Sequence, residues 1–272
     1  MMQHSLRRVL ASIALILVAH VSYAQAPQTV QLQNLTWTEI RDQVRAGKTT
    51  IIIPIGGTEQ SGPYVAVGKH NVRAEYLSEK IAQKLGNALV APVVSYVPEG
   101  GYAPPSSHMR FPGTITIPDD VFEKMLESAA NSFAVHGFRN IVFLGDHGGY
   151  QNDLKQVVAH LNKTWSGTNA HAFLPPEYYQ TSSDGYAQIL REHGIRDDEI
   201  GTHAGLADTS LQLAVAPQMV RLSALQTAPK LGANDGVYGG DPHRSSAQLG
   251  ELGVDAIVSR TVDAIRKDTT GR

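Results

Sequence analysis

The residues able to do chemistry fall into a few short stretches. Gly56-Gly57-Thr58-Glu59-Gln60-Ser61-Gly62-Pro63 presents a carboxylate, Gly145-Asp146-His147-Gly148-Gly149 sets an acid beside an imidazole, and His203-Ala204-Gly205 precedes Asp208-Thr209-Ser210. Between them, Tyr102 to Pro112 carries His108 and Arg110 in a segment too rich in Pro for regular structure, which reads as an active-site lid. The chain has no Cys, so disulfides, thiol nucleophiles, iron–sulfur clusters and Cys-ligated zinc are excluded, and any metal is held by His, Asp or Glu. A serine-hydrolase reading of Ser61 fails because a nucleophile elbow needs Gly two positions either side, where Glu59 and Pro63 stand. The loop at 145–149 lacks both the G-x-G-x-x-G spacing of a dinucleotide site and the Lys-Ser/Thr of a P-loop. Taken singly, each stretch also reads as an ordinary turn. His136, His160, His171 and His193 lie in or beside expected helices and strands and read as structural.

The elements that must position these residues alternate. Thr36-Trp37-Thr38-Glu39 is a capping box opening a helix to about Gly47, and the β-branched run from Thr49 to Ile55 is a buried strand. Asn71 is expected to cap a helix through Leu85, ahead of a strand over Ala88 to Val94. A helix from Pro118 to His136, a strand from Asn140 to Gly145, a helix from Tyr150 to Trp165 and a strand over Ala170 to Leu174 repeat the pattern. Uninterrupted apolar strands between amphipathic helices predict an α/β fold with a mainly parallel sheet covered on both faces. Such sheets carry their sites at the carboxyl ends of the strands, where Glu59 and the Asp146-His147 pair fall.

At 272 residues, 42% hydrophobic and 18% charged, one large domain over residues 27–272 is expected. A net charge of −2 supplies no basic field for nucleic acid. Arg7 and Arg8, the apolar run from Val9 to Ala19 and the small-x-small pattern at Ser22-Tyr23-Ala24 predict a signal peptide over 1–26, cleaved after Ala24. The mature protein is then periplasmic or secreted, with no membrane span.

Read in order, Gly-Thr-Glu-Gln-x-Gly-Pro, Phe-Pro-Gly-Thr-Ile (Phe111–Ile115), His-Gly-Gly (His147–Gly149) and His-Ala-Gly-x-x-Asp-Thr-Ser (His203–Ser210) resemble the creatininase family of amidohydrolases. The resemblance implies a three-layer α/β/α sandwich, a metal at the strand ends, and hydrolysis of a C–N bond in a small, often cyclic amide. It also implies a homo-oligomer, a hexamer by analogy. Carried across, the family's ligands fall on Glu59 and His147, while Ser61 stands where a ligating His is usual, His70 replaces a bridging Asp and Gly149 replaces a Glu. The expected metal set is therefore Glu59, His70 and His147, holding one divalent ion per chain, zinc first and manganese or iron next, since one imidazole nitrogen cannot bridge two ions.

The chemistry implied is attack on the amide carbonyl by hydroxide generated on the metal. His203 is expected to be the general acid, with Asp208 orienting it or holding the water. Asp146 is expected to lock the tautomer of His147 or to join the ligands, and Ser61 is a further candidate for the same two places. His108, Arg110, Tyr178 and Tyr179 are the expected substrate contacts. Two alternatives share the same residues: a periplasmic ligand-binding pseudo-enzyme, and a lactone or ester hydrolase.

Overall fold

The computed structural model describes residues 28–270, so the expected signal peptide lies outside the described residues. Its centre is a four-stranded parallel sheet in the order β2-β1-β3-β4, with β1 Thr50–Ile55, β2 Ala88–Val90, β3 Asn140–Gly145 and β4 His171–Phe173. The register pairs Thr50 with Asn140 and Ile55 with Gly145, so β1 and β3 end level. Each crossover is helical. Helix α1 (Trp37–Arg45) precedes β1, α2 (Lys69–Leu85) joins β1 to β2, α3 (Asp119–Val135) joins β2 to β3, and α4 (Gln151–Thr164) joins β3 to β4. Short helices α5 (Pro176–Gln180), α6 (Tyr186–Glu192) and α7 (Asp197–Ile200) follow. Then come β5 (Gly201–His203), α8 (Leu206–Val215), α9 (Leu222–Gln226), β6 (Tyr238–Gly240) and the long α10 (Ala247–Thr270), with β5 and β6 forming a small antiparallel pair.

The side-chain alternation of a strand sorts the interior into two cores. Ile51, Ile53, Ile55, Ile141 and Phe143 face one way, against Phe122 and Leu126 of α3 and Leu154 and Leu161 of α4. Ile52, Val142 and Leu144 face the other way, against Leu77 and Ile81 of α2, Leu211 of α8 and Ile257 and Val258 of α10. Both faces of the sheet are covered, giving the α/β/α layering expected. No helix among the described residues is long and apolar enough to cross a membrane.

The sequence reading of most elements holds to within a residue or two: Thr36 caps α1 in a capping box with Glu39, and β3 has the bounds expected. The start of α2 differs. It begins at Lys69 after Gly68 rather than at Asn71, because the Asn71 side chain is used elsewhere. Its Oδ1 accepts from the Gly57 N–H at 2.9 Å and its amide donates to Thr58 Oγ1 at 3.1 Å, pinning the first turn of α2 beneath the Glu59 loop. With that start, Lys69, His70 and Arg73 are all buried on the side of α2 that meets the strand ends.

Candidate metal centre

Four donors converge beyond the carboxyl ends of β1 and β3: Glu59, Glu99, His108 and His147 each offer one ligand atom, all within 4.8 Å of one another. Glu59 comes from the loop after β1, Glu99 from the stretch after β2, His108 from the turn at Ser107–Arg110 and His147 from the loop after β3. His108 Nε2 lies 3.2 Å and His147 Nε2 3.3 Å from Glu59 Oε2, and His147 Nε2 lies 3.8 Å from Glu99 Oε2.

The local chain is built for this convergence. Gly57 sits at φ +147°, and a Cβ there would lie 2.6 Å from Glu99 Oε1, so glycine lets the second carboxylate approach. The buried Tyr150 hydroxyl is 2.8 Å from Ile55 O and 2.6 Å from Gly56 O, and accepts from the His147 N–H at 3.1 Å. One side chain thus ties the end of β1 to the His147 loop. The Gly149 N–H donates to His147 Nδ1 at 3.1 Å, which turns Nε2 towards the carboxylates.

Glu59 Oε2 and both oxygens of Glu99 are buried without a hydrogen-bond partner. Buried carboxylate oxygens are almost always satisfied, and two acids with two imidazoles match the donors that zinc, manganese and iron take. The residues therefore fit a divalent cation. The electrostatics agree. Burial and the neighbouring Glu59 charge push the Glu99 carboxyl up to about 8. Burial opposes ionisation of Glu59 too, but the facing His147 and His70 imidazoles and the Lys69 charge hold it well below the usual carboxylate range. Two acids facing each other, one ionised and one keeping its proton, is the state a cation would convert to two carboxylates.

His70 is placed differently from the expectation. Its Nε2 is 2.7 Å from Glu59 Oε1 and its Nδ1 2.6 Å from Asp146 Oδ2, so both nitrogens face carboxylates and neither is among the four converging donors. It braces Glu59 from behind. Asp146 correspondingly bonds His70, Arg73 Nε at 2.8 Å and the Tyr178 hydroxyl at 3.1 Å, and not the His147 ring expected of it. Ser61 is buried with its hydroxyl unpartnered and also lies outside the four.

His203, at the end of β5, has Nδ1 3.5 Å from Glu59 Oε1, while its Nε2 is 3.0 Å from both the side-chain nitrogen and the backbone oxygen of Gln60. The same Gln60 amide nitrogen is 3.1 Å from His108 Nδ1 and so links the two imidazoles. Burial and the Lys69 charge push His203 down to about 3, which leaves it neutral at physiological pH. Asp208 is not turned to His203 as expected: it bonds Lys69 Nζ, Arg73 Nη1 at 2.7 Å and the Ala204 N–H at 3.0 Å. The donor set opens onto a cleft of about 690 Å³ whose lining includes His108, His147, Tyr179, Ser183, Arg191 and His203. Of the expected substrate contacts, His108 and Tyr179 line it. Tyr178 is buried with its hydroxyl on Asp146, and Arg110 is exposed at the rim, 3.4 Å from the Tyr238 hydroxyl.

The sequence reading missed Glu99, Gln60, Lys69 and Arg73. Glu99 had a signal, since it precedes Gly100-Gly101 at the carboxyl end of a predicted strand, the position where the other motifs were found.

The family profile described as creatinine amidohydrolase, creatininase, matches residues 33–265. Creatinine amidohydrolase of Pseudomonas putida is 26% identical over 262 residues, covering 89% of this chain and 98% of that protein. The 3-dehydro-scyllo-inosose hydrolase of Thermotoga maritima is 28% identical over 239 residues, 84% of this chain and 71% of that one. A mycofactocin precursor peptide peptidase of Mycolicibacterium smegmatis is 25% identical over 236 residues, 85% and 90% of the two chains. A crystal structure of creatinine amidohydrolase superposes with a TM-score of 0.73 at 22% identity, over 89% of this chain and 98% of that one, so the fold is creatininase-like.

Proposed function

Because the chain belongs to the creatininase family, whose similar members are hydrolases, we propose that it is a metal-dependent amidohydrolase that cleaves a C–N bond in a small, cyclic amide. The observation that carries this reading is the convergence of Glu59, Glu99, His108 and His147 with three unpartnered carboxylate oxygens among them, at the floor of an open cleft. These four residues would hold one divalent cation per chain. Zinc ranks first; solved creatininases include a Zn–Zn type and a manganese form.

A bound cation supplies Lewis acidity, polarising a carbonyl and lowering the pKa of water from about 15.7 to about 7. The protein's own residues do the rest. His203 is neutral at rest, and its Nε2 is engaged by Gln60, which leaves Nδ1 to accept the proton given up by the attacking water. As the C–O bond forms and the C–N bond breaks, the same proton passes to the leaving nitrogen, so His203 is restored and no net proton is consumed in the transfer. Its low pKa favours the second transfer. Gln60 holds His108 and His203 at fixed distance, and Tyr179 walls the substrate cleft. The leader segment supports export to the periplasm or beyond, and the family supports a homo-oligomer.

The test is a turnover screen of the metal-loaded and chelator-treated protein against creatinine, hydantoins, lactams, lactones and short peptides. Metal-dependent turnover of a cyclic amide supports the proposal. Turnover confined to lactones or to linear peptides moves the activity to ester or peptide hydrolysis, and binding without turnover makes the protein a ligand-binding relative.

A further inference from the structure

Lys69 is 1% exposed and lies at the start of α2, directly behind the metal-centre carboxylates. A lysine is almost never buried unless its charge is paired. Its Nζ bonds Asp208 Oδ2 and lies 3.7 Å from Glu59 Oε1, and that same Glu59 oxygen is 3.5 Å from His203 Nδ1. The ammonium is thus a buried cation held between two carboxylates, one of which also faces the proposed metal.

The charges on the two sides of Glu59 divide cleanly. On the inner side Asp146 and Asp208 are matched by Arg73, whose guanidinium bonds both acids, and by Lys69. On the outer side Glu59 and Glu99 face each other with their free oxygens unpartnered. Counting these six side chains, one divalent cation on the outer side balances the acids, whereas a second would leave two buried positive charges uncompensated, which a low-dielectric interior strongly disfavours.

We propose that the Lys69 ammonium is a built-in counter-cation that occupies a second cation position, between Glu59 Oε1 and Asp208 Oδ2, and so limits the centre to a single metal ion. This rests on the proposed metal site, and it makes Lys69 a positioning residue, one that acts through Glu59 and Asp208 and does not touch substrate. Removing the charge while keeping the length of the side chain should open the position to a second ion.

The experiment counts zinc per chain by elemental analysis after loading and dialysis. Wild type and Lys69→Arg should hold one ion, and Lys69→Met two, with a new anomalous-scattering peak between Glu59 and Asp208. A single ion in folded Lys69→Met overturns the proposal. No ion in the wild type instead overturns the metal-site reading on which it rests. If Lys69→Met does not fold, the wild type decides at excess zinc. One peak, on the Glu59 Oε2 side, supports the counter-cation; a second, beside Asp208 Oδ2, overturns it.

Discussion

Replacing Glu99 by Gln isolates the part of metal binding that displaces a proton. Burial beside Glu59 pushes the Glu99 carboxyl up to about 8 in the metal-free protein, so at pH 7 it is about nine-tenths protonated, and at pH 9 about one-tenth. A cation that takes Glu99 as ligand must expel that proton. Zinc binding at pH 7 should therefore release about 0.9 more proton from wild type than from Glu99→Gln, and the difference should shrink to about 0.1 at pH 9. Calorimetric titrations in buffers of different ionisation enthalpy read the released proton directly. The same carboxyl carries a stability signature of known sign. A group whose folded pKa is raised favours the folded state fully below its unfolded value, near 4.5, and loses that contribution as pH rises through the folded value. Metal-free wild type should accordingly lose stability relative to Glu99→Gln between about pH 5 and 8, on the order of a few kcal/mol. Equal proton release from the two proteins at pH 7 would refute the reasoning, because it would mean either that Glu99 is already ionised or that the cation does not use it.

His203→Ala should lower kcat by about 10²–10⁴-fold and leave the metal content unchanged, as loss of a proton-transfer group does; elemental analysis beside kinetics separates this from loss of a ligand. Arg73→Met leaves Asp146 and Asp208 buried with only part of their pairing and should destabilise by about 3–5 kcal/mol in denaturant titrations. Tyr150→Phe removes the hydroxyl that joins the end of β1 to the His147 loop; a loss of about 1–3 kcal/mol and weaker zinc retention are expected, read by thermal melts with and without metal. Gly250→Ala adds a Cβ that collides with the Ser210 carbonyl where α10 crosses α8, and should cost about 1–3 kcal/mol, or more if the helices cannot part.

The layered fold was legible because its signals are local. A capping box, β-branched runs and glycine stops each act within a few residues, and so α1, β1, β3 and α4 stand close to where the sequence puts them. The site was legible only where a motif sat directly on a strand end. Glu59, His147 and His203 were found in that way, and all three reach the cleft or its floor. Partnerships across the chain were not legible. His70 and His108 are 38 positions apart, and nothing in either neighbourhood says that His108 reaches Glu59 Oε2 while His70 on α2 turns both nitrogens to carboxylates. That choice follows from where α2 begins. Asn71 is drawn to Gly57 and Thr58, which starts the helix at Lys69 and sets Lys69, His70 and Arg73 behind Glu59 as a charged brace. Asp146 was misassigned for the same reason: its neighbour in sequence is His147, but its neighbours in space are His70, Arg73 and Tyr178.

That Glu59, Glu99, His108 and His147 hold a divalent cation is tested by an anomalous-scattering map of zinc-loaded crystals. One peak per chain is expected, with oxygens of Glu59 and Glu99 and nitrogens of His108 and His147 each within about 2.0–2.2 Å. A peak whose shell contains His70 in place of Glu99 and His108, or no peak at these residues in active protein, would contradict it.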